Sequence, residues 1–447
     1  MPKQLFGTDG IRGVAGEYPL DPSTVYAFGT ALADTLHHID PNPEVLIGMD
    51  TRESGQWIAE HVAGGLARGG VRSRFAGVIT TPGVASLTRS DTFAAGVMIS
   101  ASHNPYQDNG LKVFSHSGYK LPDAQEHEME QEIFTLLDEP ATPVHAPLSA
   151  DPTLAQRYID SLLATMAAPL HNPHIVLDCG NGAASDLAPE LFRRAGANVT
   201  AICCDPNGRN INLNCGALHV GGLRDAVIAN RATVGVAFDG DADRAIFVSS
   251  SGKTVDGDAV LLMAARALKA AGHLQGDMVV ATVMSNLGLE RALEKHGIRL
   301  LRTPVGDKYV LEEMLRAGAV LGGEQSGHII FREFSTTGDG LLTALRVIEI
   351  ADRAGIGLDE LSSELEIYPQ CLVNVRIRER KPMAELPAVA REIRACEDAF
   401  GASGRTLVRF SGTEPLARVM VEGPDLPRVK EFCNRIASAI ERELGAV

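Results

Sequence analysis

The segment AAGVMISASHNP, residues 94–105, joins an apolar run directly to a polar turn. The apolar half predicts a buried β-strand, and the polar half presents the Ser102 hydroxyl at the end of that strand with His103 beside it. Pro105 restricts the backbone just after the hydroxyl. A hydroxyl in this setting is typical of a nucleophile loop, although an ordinary Asx or proline turn fits the same residues taken alone. Other segments have to distinguish the two.

Strand-like runs such as Val45–Ile47 alternate with helical patterns along the rest of the chain. This alternation predicts α/β layers. The weakly patterned, proline-containing stretch 138–152 predicts a linker, and further boundaries are indicated at 249–252 and near 368–369. We therefore predict three α/β domains and a smaller α+β domain, at residues 1–148, 149–251, 252–367 and 368–447.

A second polar turn follows the apolar run 234–238 and carries three carboxylates at every second position, Asp239, Asp241 and Asp243. In an extended segment these side chains point to one side. Three converging carboxylates repel one another unless a cation lies among them, and oxygen ligands suit magnesium, manganese or calcium. The sequence therefore predicts a metal site, with a solvated acidic turn as the alternative.

The acidic turn does not match a calcium-binding EF-hand. That loop requires glycine at its sixth position and glutamate at its twelfth, where this chain has Arg244 and Ser250. A guanidinium beside a carboxylate cluster is instead suited to a phosphate that bridges the metal and the arginine. Arg244 is therefore a candidate catalytic residue.

A third segment has the composition of an anion site. Arg409 and Arg418 bracket a turn that contains Ser411, Gly412 and Thr413. Two guanidinium groups, two hydroxyls and a glycine amide that a ligand can approach closely are able to hold a dianion such as phosphate. A plain surface turn is the alternative.

A fourth turn, residues 322–328, follows another apolar run and presents Glu324, Ser326 and His328 together. Carboxylate and hydroxyl groups of this kind hold the hydroxyls of a polyol or an amino sugar. His328 is a candidate proton donor or acceptor, although a lone histidine is more often a hydrogen-bonded structural residue. A purely structural glycine-rich turn is the alternative for the whole segment.

Composition narrows the classes of function. The chain has 447 residues, a net charge of −15 and 45% hydrophobic residues, which favours a multidomain enzyme and argues against a general nucleic-acid surface. Seven cysteines occur without a Cys-x-x-Cys spacing, so neither a zinc site nor a disulfide framework is predicted. The apolar runs are too short to span a bilayer. We therefore expect a cytoplasmic protein without a membrane or nucleic-acid partner.

The four turns, in this order, resemble those of the α-D-phosphohexomutase family. The resemblance extends through the chain and includes residues 7–13, 48–52, 80–82 and 336–340. Residues 282–290, 303–309 and 323–328 resemble the members of the family that act on amino sugars. Small departures are Phe410 and Lys308, where the family often has lysine and arginine, and Ala242, where it often has glycine.

The resemblance implies a fold and an activity. The fold would be four-domain, with three similar α/β domains (mixed sheets between helices) and a smaller C-terminal α+β domain, and the four turns would meet in a central cleft. Phospho-Ser102 would give its phosphoryl group to the C1 hydroxyl of glucosamine 6-phosphate and recover one from C6 of the bisphosphate. The product, glucosamine 1-phosphate, would supply UDP-N-acetylglucosamine and cell-wall precursor synthesis.

The resemblance also assigns roles to the candidate residues. Ser102 would be a phosphoserine, and its phosphate would join Asp239, Asp241 and Asp243 in binding one Mg²⁺ per subunit. The remaining assignments are acid or base for Lys112 and His328, a position near the phosphoserine for Arg12, sugar hydroxyls for Glu324 and Ser326, and the non-reacting phosphate for Arg409, Ser411, Gly412, Thr413 and Arg418. His103 and Arg244 are catalytic candidates from their own positions beside Ser102 and the aspartates. Lys112 could equally serve to neutralise phosphate charge.

Glucosamine or glucose 1,6-bisphosphate would prime the serine, the partner would be a small phosphosugar, and a homodimer is compatible with the family. Two alternatives stay open at this point. A mutase for glucose or mannose phosphates would keep every phosphate and metal residue and differ around residues 324–328. A non-catalytic phosphosugar-binding protein would be expected to lack the serine or the aspartates, and this chain has both.

Overall fold

The computed structural model describes residues 5–7, 9–138, 142–382, 385–410 and 415–445. They form two compact units. The first comprises Met1–Met284 and Ile298–Ser363, and the second comprises Ser285–Gly297 and Glu364–Val447.

The first sheet has the strand order β1-β2-β6-β5-β3-β4. Its strands are β1 (Phe6–Gly7), β2 (Gly10–Val14), β3 (Glu44–Met49), β4 (Arg72–Val78), β5 (Ala95–Ile99) and β6 (Asp108–Ser115). The helices of this part of the chain are α1 (Pro22–His37), α2 (Gly55–Arg68), α3 (Thr81–Ser90) and α4 (Asp123–Asp138). All five residues of β5 are buried, as the continuous apolar run predicts for a strand covered on both faces.

The second sheet has the order β11-β10-β9-β7-β8. Its strands are β7 (His174–Asp178), β8 (Asn198–Ile202), β9 (Val234–Phe238), β10 (Ala245–Ser249) and β11 (Thr254–Val255). Its helices are α5 (Pro152–Leu163), α6 (Ala184–Arg194) and α7 (Gly221–Asn230), with a 3₁₀ turn at Gly216–Leu218.

Local contacts determine where this second region begins and ends. Asp151 caps α5 by accepting from the Thr153 amide, and Pro152 occupies the first helical turn, where its missing N–H is not needed. At the other end β10 and β11 form a hairpin, in which Val248 pairs with Thr254. The predicted boundary after residue 251 falls inside this hairpin, so the second sheet continues to Val255.

The third sheet has the order β13-β12-β14-β15. Its strands are β12 (Met278–Thr282), β13 (Arg299–Thr303), β14 (Leu321–Gly323) and β15 (Ile329–Phe331). The helices of this stretch are α8 (Gly257–Ala270), α9 (Leu287–Lys295), α10 (Asp307–Ala317), α11 (Gly340–Ala354) and α12 (Leu358–Leu361), with a 3₁₀ turn at Gln275–Asp277. Of these helices, α9 belongs to the second unit.

The three sheets share one arrangement. In each, three parallel strands are joined by a fourth, antiparallel strand, and the spatial order is fourth, third, first, second. The fourth strand follows the third through a turn, and those turns, β5 to β6, β9 to β10 and β14 to β15, contain Ser102, Asp239–Asp243 and Glu324. The prediction of three similar α/β domains is confirmed. The same position in the fold therefore presents all three candidate loops.

The second unit contains an antiparallel sheet of order β16-β18-β17, which two helices cover. The strands are β16 (Gln370–Arg376), β17 (Arg405–Phe410) and β18 (Leu416–Glu422), and the helices are α13 (Pro387–Phe400) and α14 (Leu426–Leu444), with a 3₁₀ turn at Gly401–Ser403. Asp425 caps α14 through the Arg428 amide, and Ile436 and Ile440 of this helix are fully buried. The predicted small α+β domain is confirmed.

Within the part of the chain that the structure describes, no helix combines the length and apolarity needed to cross a membrane.

Candidate active site

The Ser102 turn holds its hydroxyl in a strained, buried position. Ser102 has φ 50°, a left-handed conformation that serine rarely adopts, and only 2% of its surface is exposed. Its amide donates to Ser100 Oγ at 2.9 Å, and its hydroxyl donates to Asp239 Oδ2 at 2.6 Å. Strain of this kind persists only where surrounding contacts impose it, and it is concentrated at functional sites. The nucleophile turn and the acidic turn therefore meet, as the sequence predicts.

A buried ion pair supports the turn from below. Arg52 Nη2 donates to the carbonyl oxygens of Ser102 at 3.0 Å and of Asn104 at 2.7 Å. Arg52 also pairs with Asp50, and neither side chain is exposed. Ser100 Oγ donates to Asp50 Oδ2 at 2.6 Å, so the pair fixes both ends of the turn. The sequence marks residues 48–52 only as part of the resemblance and gives Arg52 no role.

Loops that follow strands of the second sheet contribute a further support that the sequence does not reveal. Asn212 Nδ2 donates to the Ser102 carbonyl at 3.0 Å. The Thr51 hydroxyl donates to the carbonyl of Asn181 at 2.6 Å. These contacts join residues more than a hundred positions apart, so only the folded chain shows them.

The three aspartates form a buried carboxylate cluster. Asp239, Asp241 and Asp243 each place one oxygen within 4.8 Å of the others. Burial, together with the charges of Asp243 and Asp241, raises the pKa of Asp239 well above its ordinary value. Asp241 Oδ1 and Asp243 Oδ1 have no hydrogen-bond partner among the described residues. Buried oxygens without donors fit a hard divalent cation, which would supply the missing positive charge.

Fixed cations compensate part of this negative charge. Lys112 Nζ lies 2.9 Å from Asp241 Oδ2 and 3.0 Å from Asp9 Oδ2. Burial opposes the charged ammonium, but Asp241 and Asp9 raise the pKa of Lys112 well above its ordinary value. Lys120 similarly bridges Asp9 at 2.6 Å and Asp307 at 2.5 Å. Sequence reasoning singled out Lys112 and missed Lys120, Asp9 and Asp307.

A cavity of about 410 Å³ opens in front of these groups. The predicted residues that line it are Arg12, Ser102, His103, Asp243, Arg244, Glu324 and His328. The amide of Gly306 donates to Glu324 Oε1 at 3.1 Å, and the exposed Ser326 lies 3.4 Å from the other oxygen of Glu324. Asp9 and Asp307 also line the cavity. It therefore presents both signs of charge to a ligand.

Both ring nitrogens of His328 are engaged. The amide of Gly338 donates to Nε2 at 3.0 Å, and Nδ1 lies 3.5 Å from Asp243 Oδ2. Burial opposes the charged ring, but Asp243 raises the pKa of His328 to about 8. With the proton on Nδ1 both contacts are satisfied, and uptake of a second proton at Nε2, which Asp243 favours, would replace the contact with the Gly338 amide. His328 therefore contacts both Asp243 and the residue 338 backbone.

His103 lies next to the nucleophile. Its Nδ1 is 3.4 Å from the Ser102 hydroxyl. Burial, followed by the charges of Arg244 and Arg12, lowers the pKa of His103. The imidazole is therefore neutral near pH 7 and can donate or accept a hydrogen bond.

In the second unit, Arg409 and Arg418 lie directly opposite each other on β17 and β18. Burial, followed by Arg418, lowers the pKa of Arg409. Like charges placed opposite each other in a sheet are unfavourable, and an anion between them relieves the repulsion. Phe410 instead packs against the apolar core of its unit. The predicted ligands Ser411, Gly412 and Thr413 lie outside the described residues.

The chain matches known proteins over its whole length. Matches to the phosphoglucomutase/phosphomannomutase family comprise alpha/beta/alpha domain I at residues 3–139, domain II at 156–252, domain III at 256–368 and the C-terminal domain at 372–439. A phosphoglucosamine mutase of Solibacter usitatus (strain Ellin6076) is 66% identical over 445 residues, which cover 100% of both sequences.

Solved structures share the fold at low sequence identity. A phosphoglucomutase/phosphomannomutase family protein from Burkholderia thailandensis matches with a TM-score of 0.79 and 23% identity, covering 98% of this chain and 97% of the other. Aspergillus fumigatus N-acetylphosphoglucosamine mutase, solved with GlcNAc-6P and magnesium, matches with a TM-score of 0.64 and 19% identity, covering 98% and 96%.

The chain belongs to the α-D-phosphohexomutase family, so the class is that of isomerases that move a phosphoryl group within a sugar phosphate. The Solibacter usitatus relative, which matches this chain end to end, is a phosphoglucosamine mutase, and this confirms the prediction of an amino-sugar member of the family.

Proposed function

We propose that the protein interconverts glucosamine 6-phosphate and glucosamine 1-phosphate by passing a phosphoryl group through Ser102. The observation that carries this proposal is the 2.6 Å contact between the Ser102 hydroxyl and Asp239, within a cluster in which Asp241 Oδ1 and Asp243 Oδ1 have no hydrogen-bond partner among the described residues. A hydroxyl beside a cation site is the arrangement that phosphoryl transfer requires, because catalysis depends on positioning and on neutralising oxygen charge. The 66% identical phosphoglucosamine mutase supports the substrate.

In the forward step, the bond between Ser102 Oγ and phosphorus breaks while the C1 oxygen of the sugar forms a bond to the same phosphorus, and the proton of the C1 hydroxyl passes to the released Ser102 Oγ. The resulting bisphosphate turns over. The bond between its C6 oxygen and phosphorus then breaks as Ser102 Oγ takes the phosphoryl group, and the serine proton passes to the C6 oxygen. The hydrogen bonds from Arg52 and Asn212 to the Ser102 carbonyl would hold Oγ in line for both transfers.

Asp239, Asp241 and Asp243 would hold one Mg²⁺ together with the serine phosphate. When bound, this ion supplies positive charge to the transferring oxygens. Oxygen-only ligands equally suit Mn²⁺, and the magnesium complex of the Aspergillus fumigatus enzyme supports the commoner ion.

The remaining cations would act through charge. Lys112 is proposed as a fixed ammonium, because its neighbouring carboxylates keep it protonated, and Arg12 and Arg244 as phosphate ligands that face the cavity. His103 would hydrogen-bond the serine oxygen. His328 is proposed as a positioning residue because both of its nitrogens are engaged.

Two groups of substrate-binding residues are proposed, one in each compact unit. Glu324 and Ser326 would hold sugar hydroxyls, and Arg409 and Arg418, with Ser411, Gly412 and Thr413, would hold the phosphate that does not react. The direct opposition of the two arginines supports an anion at that place. We also propose that glucosamine or glucose 1,6-bisphosphate primes Ser102, that the protein is cytoplasmic and that it forms a homodimer. The domain boundaries given above are part of the same proposal.

The test measures kcat/KM with Mg²⁺ and a trace of bisphosphate, for the 6-phosphates of glucosamine, glucose and mannose side by side. We expect the amino sugar to react fastest, and chelation of the metal to stop turnover until Mg²⁺ is restored. Faster turnover of glucose or mannose phosphate would keep the mechanism and refute the substrate. Binding of all three sugars without turnover would refute the catalytic proposal.

A further inference from the structure

A second group of metal-ligating side chains lies at the carboxyl ends of β7 and β8, apart from the aspartate cluster. It consists of Asp178, Cys203 and Cys215, whose one carboxylate oxygen and two sulfur atoms all lie within 4.8 Å of one another. Asp178 and Cys215 are buried, and Cys203 is half-buried. The catalytic proposal uses none of the three.

The backbone presents these side chains at a conformational cost. Cys203 has φ 48°, in the left-handed region that residues with a Cβ rarely adopt. The Asn181 amide donates to its carbonyl at 2.6 Å and fixes this conformation. The sulfur atom of Cys203 consequently faces Asp178 and Cys215.

Backbone hydrogen bonds hold the Asp178 carboxylate in a fixed orientation, as is typical of metal ligands. The Gly180 amide donates to Asp178 Oδ1 at 2.9 Å, and the Gly216 amide donates to Oδ2 at 3.0 Å. The Cys203 side chain also hydrogen-bonds the carboxylate, and the bond from a metal ion to the Cys203 thiolate would replace this contact. Hydrogen-bonded ligands of this kind are pre-organised for a metal ion.

The two acidic sites differ in chemistry. Asp239, Asp241 and Asp243 offer oxygen alone, which suits hard cations. Two sulfur atoms and one oxygen suit a borderline-soft, four-coordinate cation such as Zn²⁺. The spacing within 4.8 Å is compatible with a tetrahedral ion, whose bonds to sulfur are about 2.3 Å long.

We propose that Asp178, Cys203 and Cys215 form a second metal site, selective for a zinc-class divalent cation, with one coordination position left for water. The cation would bind the two sulfur atoms as thiolates, and the two thiol protons would pass to solvent. No oxidant or reductant takes part.

Disulfide formation is the competing chemistry of the same thiols, so the test below distinguishes the two reactions.

Metal binding at this second site would affect the Ser102 turn through one loop, residues 203–215. Cys203 and Cys215 stand at the two ends of the segment that contains Asn212, which holds the Ser102 carbonyl. The same segment contains Gly208, whose carbonyl accepts from the Glu53 amide at 3.0 Å. A cation joining the ends of this segment would restrain both contacts, so we expect it to raise the melting temperature.

The test uses the reduced full chain after all bound metal has been removed. Excess Mg²⁺ is then added to occupy the aspartate cluster. Co²⁺ is added as the probe, because cobalt bound to thiolate gives a sulfur-to-metal charge-transfer absorption that oxygen ligands do not. We expect one equivalent of Co²⁺ to produce this band, Zn²⁺ to displace it, and Zn²⁺ to raise the melting temperature.

The variant is Cys203→Gly, which removes the thiol and relieves the left-handed strain, so folding is preserved. Its matched control is Cys204→Ser, which removes the adjacent thiol outside the group. The band should be lost in Cys203→Gly and kept in Cys204→Ser. Absence of the band in the unmodified chain, or its persistence in Cys203→Gly, would overturn the proposal. A Cys203–Cys215 disulfide that forms in air while Zn²⁺ fails to bind would overturn it in favour of a redox pair.

Discussion

The turns after β5 and after β9 occupy the same place in two sheets of the same strand order, yet they carry opposite parts of one reaction. Each contains a residue in the left-handed region that is not glycine, Ser102 with φ 50° and Ala242 with φ 54°. The first turn presents a hydroxyl and the second presents carboxylates. The fold thus sets the position and the turn shape, while the side chains alone set the chemistry.

The largest effect is expected when the first turn loses its hydroxyl. Ser102→Ala should lower turnover by more than about a thousandfold, because no other group can accept the phosphoryl group. Steady-state kinetics measures the loss. Ser90→Ala, an exposed serine at the end of α3, is the control and should keep normal turnover. A Ser102→Ala variant with a near-normal rate would remove the covalent relay from the mechanism.

The second largest effect is expected when the turn between β9 and β10 loses one of its carboxylates. Asp241→Asn removes a buried ligand and leaves Lys112 without one of its two close carboxylates, so turnover should fall about a hundredfold to a thousandfold. Titration with Mg²⁺ should show weaker binding as well. The control is Asp225→Asn in α7, an exposed aspartate. Equal Mg²⁺ affinity in Asp241→Asn and the unmodified chain would contradict the metal site.

A third prediction concerns the support of the first turn. Arg52→Met leaves the Asp50 carboxylate buried without its partner, so the free energy of unfolding should fall by about 3–5 kcal/mol. Urea denaturation measures this. The double variant Asp50→Asn/Arg52→Met should recover part of the loss, because the orphaned charge is gone. Identical stability of the single and double variants would show that the ion pair is not what holds the turn.

The smallest predicted effect concerns the region after the third turn. Burial raises the pKa of Asp339 to about 6, although the Leu342 amide and the Tyr158 hydroxyl favour its charge. The folded state therefore binds this proton more tightly than the unfolded state, whose value is near 3.8. Without divalent cations, stability should fall as pH rises from about 4 to about 6, by at most about 3 kcal/mol.

Asp339→Asn should flatten that part of the pH profile, since the amide can accept from Leu342 and donate to Tyr158 without any charge. Thermal melts at several pH values in EDTA would show it. An unchanged slope in the variant would assign the pH dependence to other groups.

The sequence predicted the parts of the molecule that depend on local pattern. Buried runs such as β5 and β9, and the amphipathic α14, follow directly from apolar periodicity. The hairpin between β10 and β11 could not be recognised, because a serine-rich turn looks the same within a sheet and between domains.

For the site, the sequence identified residues that carry an unusual pattern, such as the alternating aspartates, and missed those that act through long-range contacts. Arg52 and Asn212 hold backbone carbonyls, and nothing in their local sequence distinguishes them from surface residues. His328 is an acid or base candidate from its sequence, and only the fold shows that its two nitrogens contact the Gly338 amide and Asp243. The sequence pattern therefore predicts the residues that react or bind the metal. The residues that hold the Ser102 turn in place are recognised only in the tertiary structure.

The contacts of the nucleophile turn also constrain the order in which the chain can fold. Ser102 and Asp239 are separated by 137 positions in the sequence, and Ser102 and Asn212 by 110. Lys120 reaches Asp307 across 187. During synthesis the first sheet is complete long before these partners leave the ribosome, and closing such long loops is slow. The strained serine is therefore expected to take its final conformation late, so a partly made chain would contain the nucleophile without being able to use it.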